Sequence, residues 1–473
     1  MTETRVDTRV HAFTDDALGE HDATGVAELI RAGQISAQEA VDAAIARSGA
    51  VESRLTALEF QDFDRARARA QMTRAGGLAG VPSLFKDNVP VAGAPMTEGS
   101  HALSRTPQKS DGKIVAQILQ TGVIPIGTSR MPEFGWIPTT ERVDGTVVHN
   151  PWHTDHSAGG SSGGSAAYVA AGVVPIAHGN DGGGSIRIPA AVCGLVGLKP
   201  TRGRLRMGEA AASMPVRIIS DGVLTRSVRD TALFYAEAEK TYRNTRLPGV
   251  GLVDRPLDRP LRIGLTLDSP FAPATDDETR TALQELASTL EGLGHRIEPY
   301  VPDVPTSFKT DFVDYWSMLA MSVKDTGRLV FGSSFDSSQL EPMTLGLAAH
   351  ARRRLWRAPA YISRLAASGR QYERSFGDVD LVLSPVLCHT TPRLGYLDPT
   401  LPWEEAFGRV LDYCGFTPLH NATGAPSISL PTAQTRDGLP LGAMLSARRG
   451  ADALLLETAL QIEEAVPFRR INE

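Results

Sequence analysis

The stretch Ala158-Gly159-Gly160-Ser161-Ser162-Gly163-Gly164-Ser165 is followed within one short span by Asn180-Asp181-Gly182-Gly183-Gly184-Ser185-Ile186-Arg187. A serine set among glycines is bared on both sides and ringed by backbone N–H groups, which a nucleophile and an oxyanion site both require. The small residues 165–171 after the first loop suit a tightly packed helix, and Val173-Val174-Pro175-Ile176-Ala177 suits a buried strand ending just before the second. The first serine is thereby placed at a helix N-terminus and the second after a strand. Upstream, Val81-Pro82-Ser83-Leu84-Phe85 reads as a short apolar strand that delivers Lys86 at its end, in Phe85-Lys86-Asp87-Asn88. Two serine loops and that lysine suggest a Ser–Ser–Lys arrangement for acyl transfer.

The same alternation of strands and helices extends in both directions. Val26, Leu29 and Ile30 mark a short amphipathic helix closed by Gly33, and Ser36-Ala37-Gln38-Glu39 is a capping box opening a second. Leu55-Thr56-Ala57-Leu58-Glu59-Phe60 reads as a strand, 61–75 as a helix, 113–120 as another helix and Val123-Ile124-Pro125-Ile126-Gly127 as a strand. Strands are also expected at 261–265, 381–383, 427–430 and 442–445, with helices near 277–292 and 451–465. This predicts an α/β sandwich with a largely buried sheet. Residues 300–375 break the rhythm, being helical in pattern and carrying Phe308, Phe312, Tyr315, Trp316 and Tyr361. They read as a lid or specificity insertion, or as an extra helical layer, and their aromatics lean toward a hydrophobic or aryl substrate.

At 473 residues the chain has length for roughly three domains or for one large sheet-centred domain. Hydrophobic residues at 42%, charged residues at 22% and a net charge of −6 describe a soluble globular protein without the basic footprint of a nucleic-acid binder. The acidic N-terminus does not resemble a signal peptide, and no run reaches the ~18 apolar residues of a membrane span. A cytoplasmic protein with no membrane association is expected. Cys193, Cys388 and Cys414 lack a ligand spacing, so no zinc site or disulfide framework follows, and burial as small hydrophobes is expected.

Amide hydrolysis needs an activated nucleophile, a base, an acid for the leaving amine and donors for the oxyanion. The N–H groups of Gly182, Gly183, Gly184 and Ser185 can form a concave nest aimed at a carbonyl oxygen. Lys86 can serve as base only when neutral, which burial promotes by disfavouring the ammonium. Asp87 would oppose that shift, and is expected to point away. Other motif readings are weaker. Gly159-Gly160-Ser161-Ser162-Gly163 fits the G-x-S-x-G elbow, with His389 or His420 as partner, but the preceding Asn150-Pro151-Trp152-His153 is loop-like where that motif needs a strand. Ser83-Leu84-Phe85-Lys86 fits S-x-x-K, yet lies in a strand-like run with no K-T-G. A P-loop is excluded because no Gly-Lys-Ser/Thr follows the glycines. Each glycine–serine loop taken singly is compatible with a tight structural turn.

Gly159 to Ser165, Asp181-Gly182-Gly183-Gly184-Ser185-Ile186-Arg187-Ile188-Pro189 and Lys86-Asp87-Asn88 together resemble the core of the amidase signature family. The resemblance extends through Gly194-Leu195-Val196-Gly197-Leu198-Lys199-Pro200 and Asn421-Ala422-Thr423-Gly424-Ala425-Pro426, toward actinobacterial amidases and hydrolases of cyclic amide oligomers. It implies one three-layer α/β/α domain spanning 1–473 around a twisted mixed sheet. It also implies Ser185 as nucleophile, Ser161 as bridging serine after a cis peptide, Lys86 as base, and Asp181 with Arg187 as a buried pair bracing the loop. The implied reaction is hydrolysis of a small-molecule carboxamide through an acyl-Ser185 intermediate, without metal or organic cofactor; a homodimer is a family-level expectation. A glutaminase subunit of an amidotransferase, or a catalytically silent binding protein of the same fold, are the alternatives. Two positions depart from the family pattern. Gly182 replaces a common Thr or Ile and implies a roomier pocket, while Arg130 replaces a usual Asn and reads as a structural or surface substitution.

Overall fold

Short apolar runs bounded by glycine and proline form strands, and alanine-rich amphipathic runs form the helices between them. The computed structural model describes residues 8–72 and 75–473. Its strands are β1 (Leu58–Gln61), β2 (Pro82–Lys86), β3 (Ile124–Ser129), β4 (His149–Asn150), β5 (His153–Ser157), β6 (Ile176–Asp181) and β7 (Val196–Lys199). They continue with β8 (Ser220–Thr225), β9 (Arg262–Leu265), β10 (Arg296–Pro299), β11 (Leu381–Pro385), β12 (Ser427–Gln434) and β13 (Pro440–Ala447). Eight of them make one mixed sheet in the order β10-β9-β11-β13-β12-β7-β8-β6. β9 runs parallel to both β10 and β11, and the remaining pairs are antiparallel. A separate three-stranded sheet, β1-β3-β2, abuts the β6 edge, where the Lys86 N–H donates to His178 Nδ1 at 3.3 Å.

Helices cover both faces of the large sheet, as strand alternation shows directly. On β13, a side chain at Gly442 would strike Ala191 of the helix Arg187–Cys193, and Met444 Sδ reaches Arg187. Leu445 therefore points to the opposite face, on which the helix Asp452–Ala465 lies against β12 and β13. The helices Phe308–Phe331, Pro342–Arg354 and Ala358–Ser375 form a bundle with its own aromatic core, including Phe308, Phe312, Tyr315, Tyr361 and Tyr372. Asp311 and Asp314 on the first helix pair with Arg364 and Arg354 on its neighbours.

Several local expectations are revised. The 55–60 strand begins only at Leu58 because the capping-box helix continues to Leu55 and ends on Thr56 in a left-handed conformation (φ 54°). The helix within 61–75 covers Phe63–Ala70, and residues 73–74 lie outside the described residues. The strand expected at 173–177 is Ile176–Asp181, displaced toward polar residues that serve the site. The supposedly loop-like 150–153 belongs to the hairpin β4–β5, which still does not lead straight into Ser161. Strands β7, β8 and β10 carry no expectation from sequence pattern alone. Among the described residues no helix is long and apolar enough to cross a membrane, and no cluster of His, Cys, Asp and Glu has metal-ligand geometry. The three cysteines are free; Cys193 and Cys388 are buried and Cys414 is half-buried.

Candidate active site

Lys86 is the last residue of β2 and is wholly buried. Its Nζ lies 2.6 Å from Ser161 Oγ and 2.6 Å from Asn180 Oδ1. Burial lowers the amine from its ordinary 10.5 to about 7, against the opposing pull of the Glu98, Asp181 and Asp221 carboxylates. Asp87 turns away as expected: its carboxyl accepts from the Thr97 backbone N–H at 3.1 Å and from the Thr97 hydroxyl. Burial pushes that carboxyl up to about 7.

Ser161 stands two residues before the helix Gly163–Ala170, and the Gly160–Ser161 peptide is cis. Gly135 faces it in a left-handed conformation (φ 70°), and a Cβ there would sit 2.7 Å from Ser161 Oγ, so only glycine leaves the hydroxyl free. Among the described residues no histidine hydrogen-bonds Ser161: His389 Nδ1 lies 2.8 Å from the Thr390 carbonyl, while His420 meets Arg187 and Tyr372. The elbow reading therefore lacks its base.

Ser185 lies in the loop between β6 and the helix Arg187–Cys193. The loop is held from three directions. Asp181 and Arg187, both fully buried, form a bidentate pair, Nε to Oδ2 at 2.9 Å and Nη2 to Oδ1 at 2.8 Å. Burial alone would raise the Asp181 carboxyl, but the adjacent guanidinium holds it well below the usual carboxylate range. Asp181 Oδ2 also accepts from the Ile186 N–H at 3.2 Å, and Asn421 Nδ2 donates to the Asp181 carbonyl at 2.8 Å. Finally, Thr417 Oγ1 donates to the Gly183 carbonyl at 2.6 Å. Because N–H and C=O oppose each other across a trans peptide, this turns the Gly184 N–H away from Thr417. Among the described residues, the N–H groups of Gly182, Gly183, Gly184 and Ser185 enter no hydrogen bond within the protein. No hydrogen bond joins Ser185 to Ser161 in this resting arrangement, a looseness common before substrate binds.

Two cavities meet at Ser185. One of about 450 Å³ is bounded by Asn88, Glu98, Asn180 and Asp221, by Ser213, Ser322 and Thr326, and by apolar residues that include Met131 and Phe331. The other, of about 60 Å³, is lined by Phe312, Phe407, Val410 and Cys414. Trp136 and Trp316 border both, edge to face with ring centroids 5.5 Å apart. At the bare Gly182 a Cβ would meet Ile219 at 3.4 Å and Trp316 at 3.5 Å, ordinary contact distances, so the position has space for a side-chain carbon beside the Trp316 indole. Arg130 stays outside, donating to the Thr56 carbonyl at 3.1 Å beside Glu59, in keeping with a structural role.

Asn180, Glu98 and Thr417 carry no role in the sequence reading, and Trp316 enters it only as one aromatic of the 300–375 segment. Only Asn180 left a signal: on β6 it shares a face with His178, which already abuts Lys86. The other three arrive from distant segments.

The family model described as Amidase matches residues 39–456. A Mycobacterium tuberculosis protein named "Putative amidase AmiC" is 48% identical over 467 residues, covering 98% of each chain. The 6-aminohexanoate-cyclic-dimer hydrolase of Paenarthrobacter ureafaciens is 32% identical, covering 94% of this chain and 95% of its own. A solved structure of 6-aminohexanoate cyclic dimer hydrolase superposes with a TM-score of 0.86 at 30% identity, over 97% of this chain and 100% of the other. A bacterial aryl acylamidase structure gives 0.83 at 26% identity, over 94% and 96%. Sequence and fold thus agree with the site's geometry, and the chain belongs to the amidase signature family.

Proposed function

We propose that this amidase cleaves a carboxamide through an acyl-Ser185 intermediate, with Ser161 and Lys86 as its proton relay. The observation that carries the reading is the buried amine of Lys86, shifted to about 7 and 2.6 Å from the Ser161 hydroxyl. A neutral amine donates one N–H to Asn180 Oδ1 and keeps its lone pair for the Ser161 proton. As Ser185 Oγ attacks the carbonyl carbon, its proton passes to Ser161 Oγ, and the Ser161 proton passes to Lys86. The oxyanion is received by the free N–H groups of 182–185; losing one such donor costs about 3–4 kcal/mol of transition-state stabilisation. The relay then runs backward, protonating the leaving nitrogen as the C–N bond breaks. Water repeats the cycle on the ester, releasing the carboxylate and restoring Ser185.

The walls supplied by the 308–331 helix set substrate choice in this reading, and the chain acts in the cytoplasm on small molecules, as a homodimer. A fluorophosphonate should label wild-type protein at Ser185 and leave Ser185→Ala unlabelled, and the mass of an acyl-enzyme trapped from a panel of amides, anilides and esters should give the acyl group. Labelling elsewhere, or equal turnover by Ser185→Ala, would refute the assignment.

A further inference from the structure

The larger cavity is unbalanced in charge. Two carboxyl groups, Glu98 and Asp221, line it, and no lysine, arginine or histidine side chain does so among the described residues. Asp221 is engaged, with Oδ1 3.2 Å from His178 Nε2. Glu98 is different. Its backbone is tied down, the N–H donating to the Asp87 carbonyl at 3.0 Å and the carbonyl accepting from Phe134 at 2.7 Å. Its carboxyl enters no hydrogen bond or ion pair among the described residues. Asn88 also lines the cavity, and its Oδ1 is buried without a partner. The nearest cation is Lys86, whose amine is already shared by Ser161 and Asn180.

An enclosed carboxyl with no counter-ion is an acceptor lacking its complement. Burial, with Asp87 close by, raises the Glu98 carboxyl to about 8, and a cation brought alongside would restore its charge. Apart from Asn180, Ser185, Ser213, Ser322 and Thr326 the rest of the lining is apolar, with Phe134, Trp136, Trp316 and Phe331 offering aromatic faces and Leu319 and Val323 aliphatic ones. Aromatic faces tolerate an ammonium, and the aliphatic wall suits a methylene stem.

We propose that Glu98 selects amides that carry a protonated amine, holding the ammonium while the scissile carbonyl lies at Ser185. The inference rests on the acyl-Ser185 reading and deepens it by naming the substrate class: an alkyl amide with a terminal ammonium. Glu98 acts here as a specificity residue and takes no part in the proton relay.

The test compares amides ending in an ammonium with isosteres ending in methyl. Two series place that end group on the acyl portion or on the leaving amine. In one of the two, wild-type kcat/KM should favour the ammonium by about tenfold or more, and the ratio should fall to about unity in Glu98→Gln while Glu98→Asp keeps part of it. A wild-type ratio near unity in both series, or a preference that survives Glu98→Gln, overturns the proposal. Calorimetry on Ser185→Ala gives a readout free of turnover: n-hexylammonium should bind about tenfold more tightly than hexanol, and equal affinities overturn the proposal. Turnover of methyl-ended amides without ammonium preference would sink this inference and leave the amidase reading standing. Preferential hexylammonium binding with no turnover of any amide would do the reverse.

Discussion

If a neutral Lys86 receives the proton, the reaction must follow that amine's titration. Burial moves it from 10.5 to about 7, so the difference, 10.5 − 7, disfavours the ammonium by about 5 kcal/mol at 1.36 kcal/mol per unit. At pH 7 an unshifted amine would be neutral in roughly one molecule in three thousand, against about half for the buried one. The base becomes competent as pH rises. With a methyl-ended amide, log kcat/KM should therefore climb with unit slope to about pH 7 and level off above it. The same shift has a stability consequence of definite sign. Between about 7 and 10.5 the unfolded chain holds a proton at this position that the folded chain does not, so this group's contribution to stability increases with pH across that window. The assay is a steady-state profile from pH 5 to 9 beside Lys86→Met. A flat profile, or the same limb persisting in Lys86→Met, would refute the reasoning.

Three other perturbations probe the scaffold. Thr417→Val removes the donor to the Gly183 carbonyl and should lower kcat about 5- to 30-fold with little change in KM, since a neutral hydrogen bond contributes about 1 kcal/mol and an unpaired buried acceptor costs more; stopped-flow acylation rates would show it. Arg187→Met leaves Asp181 buried without its cation and should destabilise the fold by about 3–5 kcal/mol, read from urea midpoints. Gly135→Ala should slow acylation, because the new methyl meets Ser161 Oγ at 2.7 Å and a side chain at φ 70° is strained; unchanged single-turnover rates would contradict this.

The residues proposed to react were legible because glycine-rich loops and a strand-terminal lysine advertise themselves locally. Lys86 ends β2, Ser161 precedes a helix and Ser185 follows β6, as pattern and resemblance together suggested. Hydrophobic periodicity failed where strands carry chemistry. β6 finishes in His178, Asn180 and Asp181, so its apolar portion placed it too early, and β8, which carries Asp221, begins Ser220-Asp221-Gly222 and offers no apolar alternation at its start. Glu98 was silent for another reason: its importance lies in what it fails to touch, and only a packed cavity reveals a missing partner. Trp316 and Thr417 belong to segments more than a hundred positions from Ser185; the aromatic run around Trp316 marks its segment but not which ring reaches Ser185, and nothing in its own neighbourhood marks Thr417.

Arg187 donates to the Thr417 carbonyl, 230 positions downstream, and to Ser427 on β12. The tethers that Thr417, Asn421 and Ser427 give the Ser185 loop can thus form only late in synthesis, after Lys86, Ser161 and Ser185 have emerged, whereas the Asp181–Arg187 pair is local. A nascent chain stopped before Thr417 would display Lys86, Ser161 and Ser185 without the latch that orients the Gly183–Gly184 peptide. Synthesis from the N-terminus therefore leaves that peptide untethered by Thr417 until most of the chain has been made.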